Sequence, residues 1–341
     1  MNTKRLCYIS RNYYNLSGAS NKAKCDNEDT LQELGAINLG LPRTIKDSKV
    51  IAFFLDLLGI LRACLLLRKG DILFLQYPIK KYFSFLCHIA RMKGAVTLAL
   101  IHDIGSIRTH RLTPQQEVKR LSHSDYLITS NAKMSEWLKE HDMKRTMIPL
   151  QLFDYRAPDF NLNEAKTCQQ TSVVYAGALH VKKNPFLITL SQELKTWHLT
   201  IYGNKAGLQG WTNNPCIEHK GFVTSEEFIH TVNADFGLVW DGDSLSTCSG
   251  VFGEYLKWNS PHKVSFYLRA GLPIIIWKEA AVASFIEKEG VGIAINSLKE
   301  LDTKLQNMTP EAYQEMKKNT AIMAKKLNDG YFLKKALSEY K

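Results

Sequence analysis

The chain has no cysteine framework. Its seven cysteines (Cys7, Cys25, Cys64, Cys87, Cys168, Cys216 and Cys248) are odd in number and show no C-x-x-C or other ligand spacing. They read as free thiols in a reducing compartment, not as disulfides or a zinc site. A long hydrophobic run is also missing. The longest apolar stretch, residues 50–67, is broken by Asp56 and Arg62 and falls short of the roughly 20 apolar residues that span a bilayer. Lys4-Arg5 is followed only by Leu6-Cys7-Tyr8-Ile9 and then by polar residues, which is the pattern of a strand and not of a secretory leader. A cytoplasmic chain is therefore expected. There is no internal repeat, no low-complexity segment and no G-x-G-x-x-G dinucleotide fingerprint. No recognised nucleic-acid motif accompanies the basic charge, so nucleic acid is not expected as a partner.

What is present is length and a lopsided charge. With 341 residues, 45% hydrophobic and 23% charged, the chain suits two domains of ordinary size. Residues 1–160 hold 24 Lys/Arg against 15 Asp/Glu, whereas residues 161–341 hold 20 against 18. Nearly all of the +11 net charge therefore belongs to the first half. Within it, residues 43–93 carry ten basic and three acidic side chains, interleaved with Phe53-Phe54-Leu55, Leu65-Leu66-Leu67 and Tyr82-Phe83. Basic residues beside apolar ones at helical spacing suit an anionic membrane surface. Core-facing helices with solvated basic faces fit the same pattern.

Short apolar runs alternate with helical periodicity along the whole chain, the mark of an α/β fold with parallel sheets. Strands are predicted at 5–10, 72–75, 96–101, 125–130, 145–149, 172–179, 199–204, 215–223 (a short strand and turn), 236–240, 274–277 and 290–295, with helices between them. Residues 310–341 are helical in pattern with Gly330 as the main break, and the polar stretch 151–171 reads as an interdomain linker.

In such folds ligands bind at the carboxyl ends of the strands. After the first strand, Gly18 and Ser20 would let a diphosphate or acceptor approach, although an ordinary βα turn reads equally well. The strand at 96–101 ends in His102-Asp103-Ile104-Gly105-Ser106-Ile107-Arg108. A histidine beside a carboxylate suits a base near neutral pH; the plain alternative is Asp103 capping the next turn with His102 packed beside it. Later strand ends carry Gly177 followed by Lys182, Lys183 and Asn184, then Gly203-Asn204, then Asp241-Gly242-Asp243. The last is a D-x-D pair, a carboxylate arrangement that can hold a divalent metal but that chance also produces. Asn259-Ser260-Pro261 is turn chemistry, and the helical spacing after it puts Lys263 in a first helical turn. A cation there opposes the helix dipole unless an anion such as phosphate lies between them; a solvated lysine on a helix end is the plain reading.

The pattern N-x-x-x-K-x-x-x-Y-L-x-A-G-x-P-I-I, formed by Asn259, Lys263, Tyr267, Leu268, Ala270, Gly271 and Pro273, resembles the donor-site helix of a bacterial glycosyltransferase family. That family includes β-1,6-galactofuranosyltransferases and the glucosyltransferases that extend glycans on serine-rich adhesins. His102 to Arg108 resembles its H-D-[IL]-x-x-[IL]-R segment, and Tyr175-Ala176-Gly177-Ala178-Leu179 resembles the start of its donor domain. The likeness covers most of the chain and is concentrated in the C-terminal half.

It implies the GT-B fold, two Rossmann-like domains facing a central cleft: 1–155 for the acceptor, 156–322 for the nucleotide sugar, and a C-terminal helix, 323–341, packing back on the first domain. It implies metal-independent transfer of a hexose from a UDP-linked donor, galactofuranose first and glucose second. The acceptor would be a glycan or lipid-linked oligosaccharide in the synthesis of cell-surface polysaccharide or glycoprotein. No cofactor beyond the donor is implied. Gly18, Ser20, Gly177, Lys182, Lys183, Asn184, Gly203, Asn204, Asn259, Lys263 and Ser265 would bind the nucleotide sugar. Arg108 would hold the acceptor or a lipid phosphate, and His102 or Asp103 would be the base. The family's usual arginine after Y-A-G-x-L is absent, so Lys182 or Lys183 would substitute as a point charge. Family members assemble, which implies a homo-oligomer, and the basic first half implies a peripheral position at the inner membrane face. A nucleotide-sugar epimerase of the same fold and a non-catalytic nucleotide-sugar-binding protein are the other readings.

Overall fold

Runs such as Ile72-Leu73-Phe74-Leu75 are apolar on both faces, as strands covered on both sides of a parallel sheet must be. In a computed structural model these runs do form sheets. The structure describes residues 4–13, 19–79, 82–158, 171–204 and 210–340, with only the backbone of Ala19 and Ser20. The chain divides into two compact units, Met1–Asp154 with Asp329–Lys341, and Tyr155–Asn328.

The first unit holds β1 (Leu6–Tyr8), β2 (Ile37–Asn38), β3 (Ile72–Tyr77), β4 (Val96–Ile101), β5 (Tyr126–Thr129) and β6 (Thr146–Pro149). They form one parallel sheet in the order β2-β1-β3-β4-β5-β6. Its helices are α1 (Ala19–Glu33), α2 (Lys49–Leu66), α3 (Tyr82–Met92), α4 (Gly105–Arg108), α5 (Pro114–Leu121) and α6 (Ala132–Glu140). Capping chemistry sets their starts. Asn131 Oδ1 accepts the Met134 N–H at 2.9 Å, and Thr113 with Gln116 forms a capping box that starts α5 at Pro114. Phe74, Leu98, Leu100, Leu127 and Ile128 fill the core.

The second unit holds β7 (Ser172–Ala176), β8 (His198–Tyr202), β9 (Ile217–Gly221), β10 (Phe236–Val239), β11 (Ile274–Trp277) and β12 (Gly292–Ile295). These are also parallel, in the order β12-β11-β10-β7-β8-β9. Taken from β9, that is the doubly wound order in which the third strand leads and the sequence reverses between β7 and β10. Its helices are α7 (Phe186–Glu193), α8 (Ser225–Thr231), α9 (Gly250–Glu254), α10 (His262–Arg269), α11 (Ala283–Lys288), α12 (Leu301–Gln306) and α13 (Pro310–Asn328). α10 lies close over β10 because Gly237 has no side chain: a Cβ there would meet the Tyr267 ring at 2.4 Å.

α13 runs unbroken to Asn328. Gly330 then turns the chain in the left-handed region, at φ 68°, into α14 (Tyr331–Glu339), which belongs to the first unit. There the buried Asp154 carboxylate accepts the Phe332 and Leu333 N–H groups at 3.1 and 2.9 Å. The unit edges thus fall at 154/155 and 328/329, where 155/156 and 322/323 were expected; a continuous helix gives no earlier exit. Of the linker 151–171, residues 159–170 and with them Cys168 lie outside the described residues. The other six cysteines are free. Among the described residues no helix is long and apolar enough to cross a membrane.

Candidate functional site

In the second unit the strand order reverses between β7 and β10, and a crevice at the carboxyl ends of those strands follows from the topology. Two glycine turns shape it. Gly203 has φ 144° and an added Cβ would meet the Gly177 carbonyl oxygen at 2.2 Å, so the turns after β7 and β8 close against each other only without side chains. Gly177 itself is exposed, and a Cβ on it would stand 3.6 Å from Lys263 Nζ.

Lys263, second residue of α10, sets its ammonium 3.7 Å from the centroid of the Tyr175 ring. The Tyr175 hydroxyl donates to Asp241 Oδ1 at 2.9 Å and accepts from Asn184 Nδ2 at 2.6 Å. The other Asp241 oxygen faces Lys183 Nζ at 3.7 Å. Burial, the largest influence, pushes the Lys263 ammonium down to about 7; the Asp241 carboxylate pulls it back up and Lys183 adds to the depression. Lys183 thus faces the Asp241 carboxylate and Lys263 stands over the ring of the tyrosine bonded to it, an arrangement of two cations and one carboxylate open to one more anion.

The frame is rigid. Tyr267, one turn along α10, accepts the Ala176 N–H at 2.7 Å and fastens the helix to the end of β7. The loop after β10 is bound to the loop after β7, because Gly242 N–H donates to Lys183 O at 2.8 Å and Phe186 N–H donates to Gly242 O at 3.0 Å. Asn259 Oδ1, just before α10, is buried with no hydrogen-bond partner among the described residues. A buried acceptor left unmatched is unfavourable, and a ligand hydroxyl or amide would satisfy it.

Gly177, Lys183, Asn184, Gly203 and Lys263 therefore come together as the sequence grouped them. Lys182 and Asn204 are exposed, while Ser265 is buried in α10 at 1% exposure. Gly18 and the Ser20 side chain lie outside the described residues. Tyr175, Asp241 and Tyr267 were not singled out for this site, although each stands in a quoted motif. The two carboxylates of the D-x-D have separate partners, since Asp243 accepts from the Ser249 hydroxyl. Among the described residues no group of three or more His, Cys, Asp or Glu stands together as metal ligands.

The first unit has its own reversal between β1 and β3. A cavity of about 270 Å³ opens there, its walls including Tyr8, Arg11, Asn12, Lys24, Gln76 and Pro78. Gln76 Nε2 donates to Lys24 O at 3.0 Å, which leaves its Oε1 as the acceptor facing Asn27 Nδ2 at 2.9 Å and His102 Nε2 at 2.9 Å. His102 Nε2 therefore carries the hydrogen. The ring is stacked on Phe153, centroids 4.9 Å apart and planes at 8°, and the residue is buried. Asp103 is less buried and paired with Arg108, so two residues assigned different tasks form one ion pair. The backbone after them is capped by Glu117, whose buried carboxylate accepts Gly105 N–H at 2.9 Å, Ser106 N–H at 2.5 Å and the Tyr77 hydroxyl at 2.9 Å.

Comparison with known proteins also divides the chain in two. The family model "Glucosyltransferase 3-like, N-terminal domain" matches residues 6–152, and "Glucosyltransferase 3-like, C-terminal domain" matches residues 173–340. The chain is 33% identical over 274 residues to the beta-1,6-galactofuranosyltransferase WbbI of Escherichia coli (strain K12), covering 80% of each chain. It is 26% identical over 275 residues to glucosyltransferase 3 of Streptococcus gordonii, covering 79% of this chain and 78% of that one. Among solved structures, the lipopolysaccharide outer core galactosyltransferase WaaB in its apo form superposes with a TM-score of 0.61 at 11% identity, over 99% of this chain and 100% of that one. That likeness is one of fold, and the fold is GT-B.

Proposed function

The chain belongs to the glucosyltransferase 3-like family, and from that membership we propose a hexosyltransferase that moves a sugar from a UDP-linked donor to a glycan acceptor. Galactofuranose is the first choice of sugar, after the relative with 33% identity, and glucose the second, after the streptococcal relative. The observation that carries the donor assignment is the pair Lys263 and Lys183 about Asp241 at the strand reversal of the second unit. A diphosphate entering there meets two cations and the first turn of α10, which together stabilise negative charge as it develops on the leaving group. Asn259 Oδ1 would accept from a donor hydroxyl or amide.

In the transfer the acceptor oxygen bonds to the anomeric carbon while the bond from that carbon to the phosphate oxygen breaks, and UDP departs with the electron pair. The acceptor hydroxyl gives up its proton to a base. Asp103 takes that role in this reading: the hydrogen on His102 Nε2 is committed to Gln76 and the ring is stacked and buried, whereas the Asp103 carboxylate is a quarter exposed, at 23%. Arg108 then orients Asp103 and reaches the acceptor. Positive side chains supply the charge that a divalent metal supplies in other transferases, so the reaction proceeds without one. The basic first half puts the enzyme to work against an anionic membrane face, on a lipid-linked acceptor.

The test is UDP release from UDP-galactofuranose, UDP-glucose and other nucleotide sugars, with and without a galactose- or N-acetylglucosamine-terminated acceptor, in EDTA. Acceptor-dependent release that survives EDTA and collapses in Lys263→Ala supports the reading and names the donor. Release without an acceptor favours an epimerase, release that requires Mn²⁺ returns Asp241 and Asp243 to metal ligation, and tight UDP binding with no release favours a binding protein.

A further inference from the structure

α2 is apolar around most of its circumference and turns its large side chains away from the protein. Its buried side is made of small or modest residues, Gly59, Ile60 and Ala63. Gly59 approaches the chain so closely that a Cβ would lie 3.2 Å from the Leu41 nitrogen. The two charges that interrupt the run in sequence also turn toward the protein. Asp56 accepts from Arg11 Nε and Asn12 N–H, both at 3.0 Å, and Arg62 donates to the Leu39 carbonyl at 3.3 Å and to that of Gly40.

The bulky side chains point outward. Val50, Phe54, Leu58 and Leu65 are 66%, 56%, 55% and 81% exposed, and Phe53 and Leu61 are about half exposed with them. At the helical rotation of about 100° per residue these six fall within an arc of roughly 140°, and Ile51 and Leu66, 50% and 39% exposed, widen it to roughly 220°. The patch is on the order of 500 Å² of apolar surface, at the upper end of what a soluble chain leaves in water without a use. Cations stand at both ends of it: Lys46 and Lys49 before the first turn or in it, Arg68 and Lys69 after the last, all exposed. Among the described residues none of the four is in an ion pair, and Asp47 is the acidic neighbour. The last turn is closed by Lys93, whose ammonium donates to the Leu65 and Leu67 carbonyls at 3.2 and 3.0 Å.

We propose that α2 is a membrane-docking helix that lies in the plane of an anionic lipid surface, its Val50–Leu65 face among the acyl chains and Lys46, Lys49, Arg68 and Lys69 among the headgroups. This rests on the membrane-facing position proposed above and names the element that produces it. An 18-residue helix is about 27 Å long, with cations at both ends to meet headgroups while its outward apolar side chains enter the acyl boundary. Charge also chooses between lipid and a second copy of the chain. Parallel pairing of two α2 helices sets Lys46 and Lys49 against themselves, and antiparallel pairing sets them against Arg68 and Lys69. Every symmetric self-pairing therefore opposes cation to cation, whereas anionic headgroups complement both ends.

The experiment is flotation of the full chain with vesicles of phosphatidylcholine alone and of phosphatidylcholine with about a third phosphatidylglycerol, with transfer to a soluble acceptor measured in parallel. Binding to the anionic vesicles is expected at least tenfold above binding to the neutral ones. The variant Phe54→Ser/Leu58→Ser/Leu65→Ser, altered only at exposed positions, is expected to stay in the soluble fraction with thermal unfolding and transfer to the soluble acceptor unchanged. Lys46→Glu/Lys49→Glu is expected to weaken binding at least 25-fold, since each cation near the surface contributes about fivefold. Wild-type protein that does not float, or serine variants that float as well as wild type, overturns the proposal. So does a dimer in sedimentation velocity that the serine variant dissolves, which would give the face to a second copy. Loss of transfer to the soluble acceptor in the wild type would count against the transferase reading instead.

Discussion

Lys263 should bind its ligand and a proton together. In the empty site burial holds its ammonium near 7, so at pH 8 roughly nine tenths of the side chain is neutral. The diphosphate of a nucleotide sugar has no titrating proton near neutrality, and its charge favours the ammonium form. Binding at pH 8 must therefore take up close to one proton per donor, and binding at pH 6 almost none. Affinity should fall about tenfold, or about 1.4 kcal/mol, for each pH unit above 7. Calorimetric titration with UDP-glucose in two buffers of different ionisation heat measures the uptake directly. In Lys263→Met the uptake should vanish and the pH dependence flatten, with weaker binding at pH 6 and little further loss at pH 9. A wild type that binds with no proton uptake and a flat pH profile would refute the contact between this ammonium and the diphosphate. The same shift acts on the empty fold. Its folded value lies below the ordinary 10.5, the unfolded chain holds more protons between about 7 and 10.5, and this residue's contribution to stability therefore improves as pH rises through that window.

Three other substitutions follow from the geometry. Asp103→Asn should lower kcat by about 10²–10⁴-fold while leaving donor affinity within a few-fold, read from UDP release and from the same calorimetry. Gly203→Ala puts a methyl group 2.2 Å from the Gly177 carbonyl oxygen; it should destabilise the protein by about 1–3 kcal/mol and remove donor binding, by thermal unfolding and titration. The buried Asp154 carboxyl is raised to about 7 by burial. Its contribution to stability is therefore present in full below about 4 and lost as pH climbs through 7. Asp154→Asn should gain stability relative to wild type between pH 5 and pH 8 in urea unfolding, and an unchanged difference between those pH values would contradict the assignment.

Much of the architecture was readable because it depends on local pattern. Apolar runs at 72–75, 96–101 and 274–277 became β3, β4 and β11, and Gly330 broke the terminal helix where its φ requires glycine. The two-residue β2 (Ile37–Asn38) and the five-residue α9 (Gly250–Glu254) were not anticipated, since neither is long enough to show a period. At the candidate site the motif residues Gly177, Lys183, Asn184, Gly203 and Lys263 lie close together, and the groups behind them were not singled out. Tyr175 and Tyr267 stood only as motif letters, and Asp241 only in a D-x-D that chance also produces, because nothing along the chain says that Tyr175, Asn184, Asp241 and Lys263 meet.

α2 shows the division most plainly. Its composition declared an apolar helix with a few charges, equally suited to a core or to a membrane surface. Which side faces the protein depended on where Leu41, Arg11 and the backbone of Leu39 and Gly40 came to rest against it. Local periodicity and short motifs were enough for the α/β class and the family. Folding adds that Lys263 stands over the Tyr175 ring whose hydroxyl reaches the carboxylate faced by Lys183, that Arg108 pairs with Asp103, and that α2 turns its large side chains outward. The first and last of these depend on contacts between residues far apart in the chain, whose distance and burial no local pattern encodes, whereas Asp103 and Arg108 stand five residues apart and meet across the turn into α4.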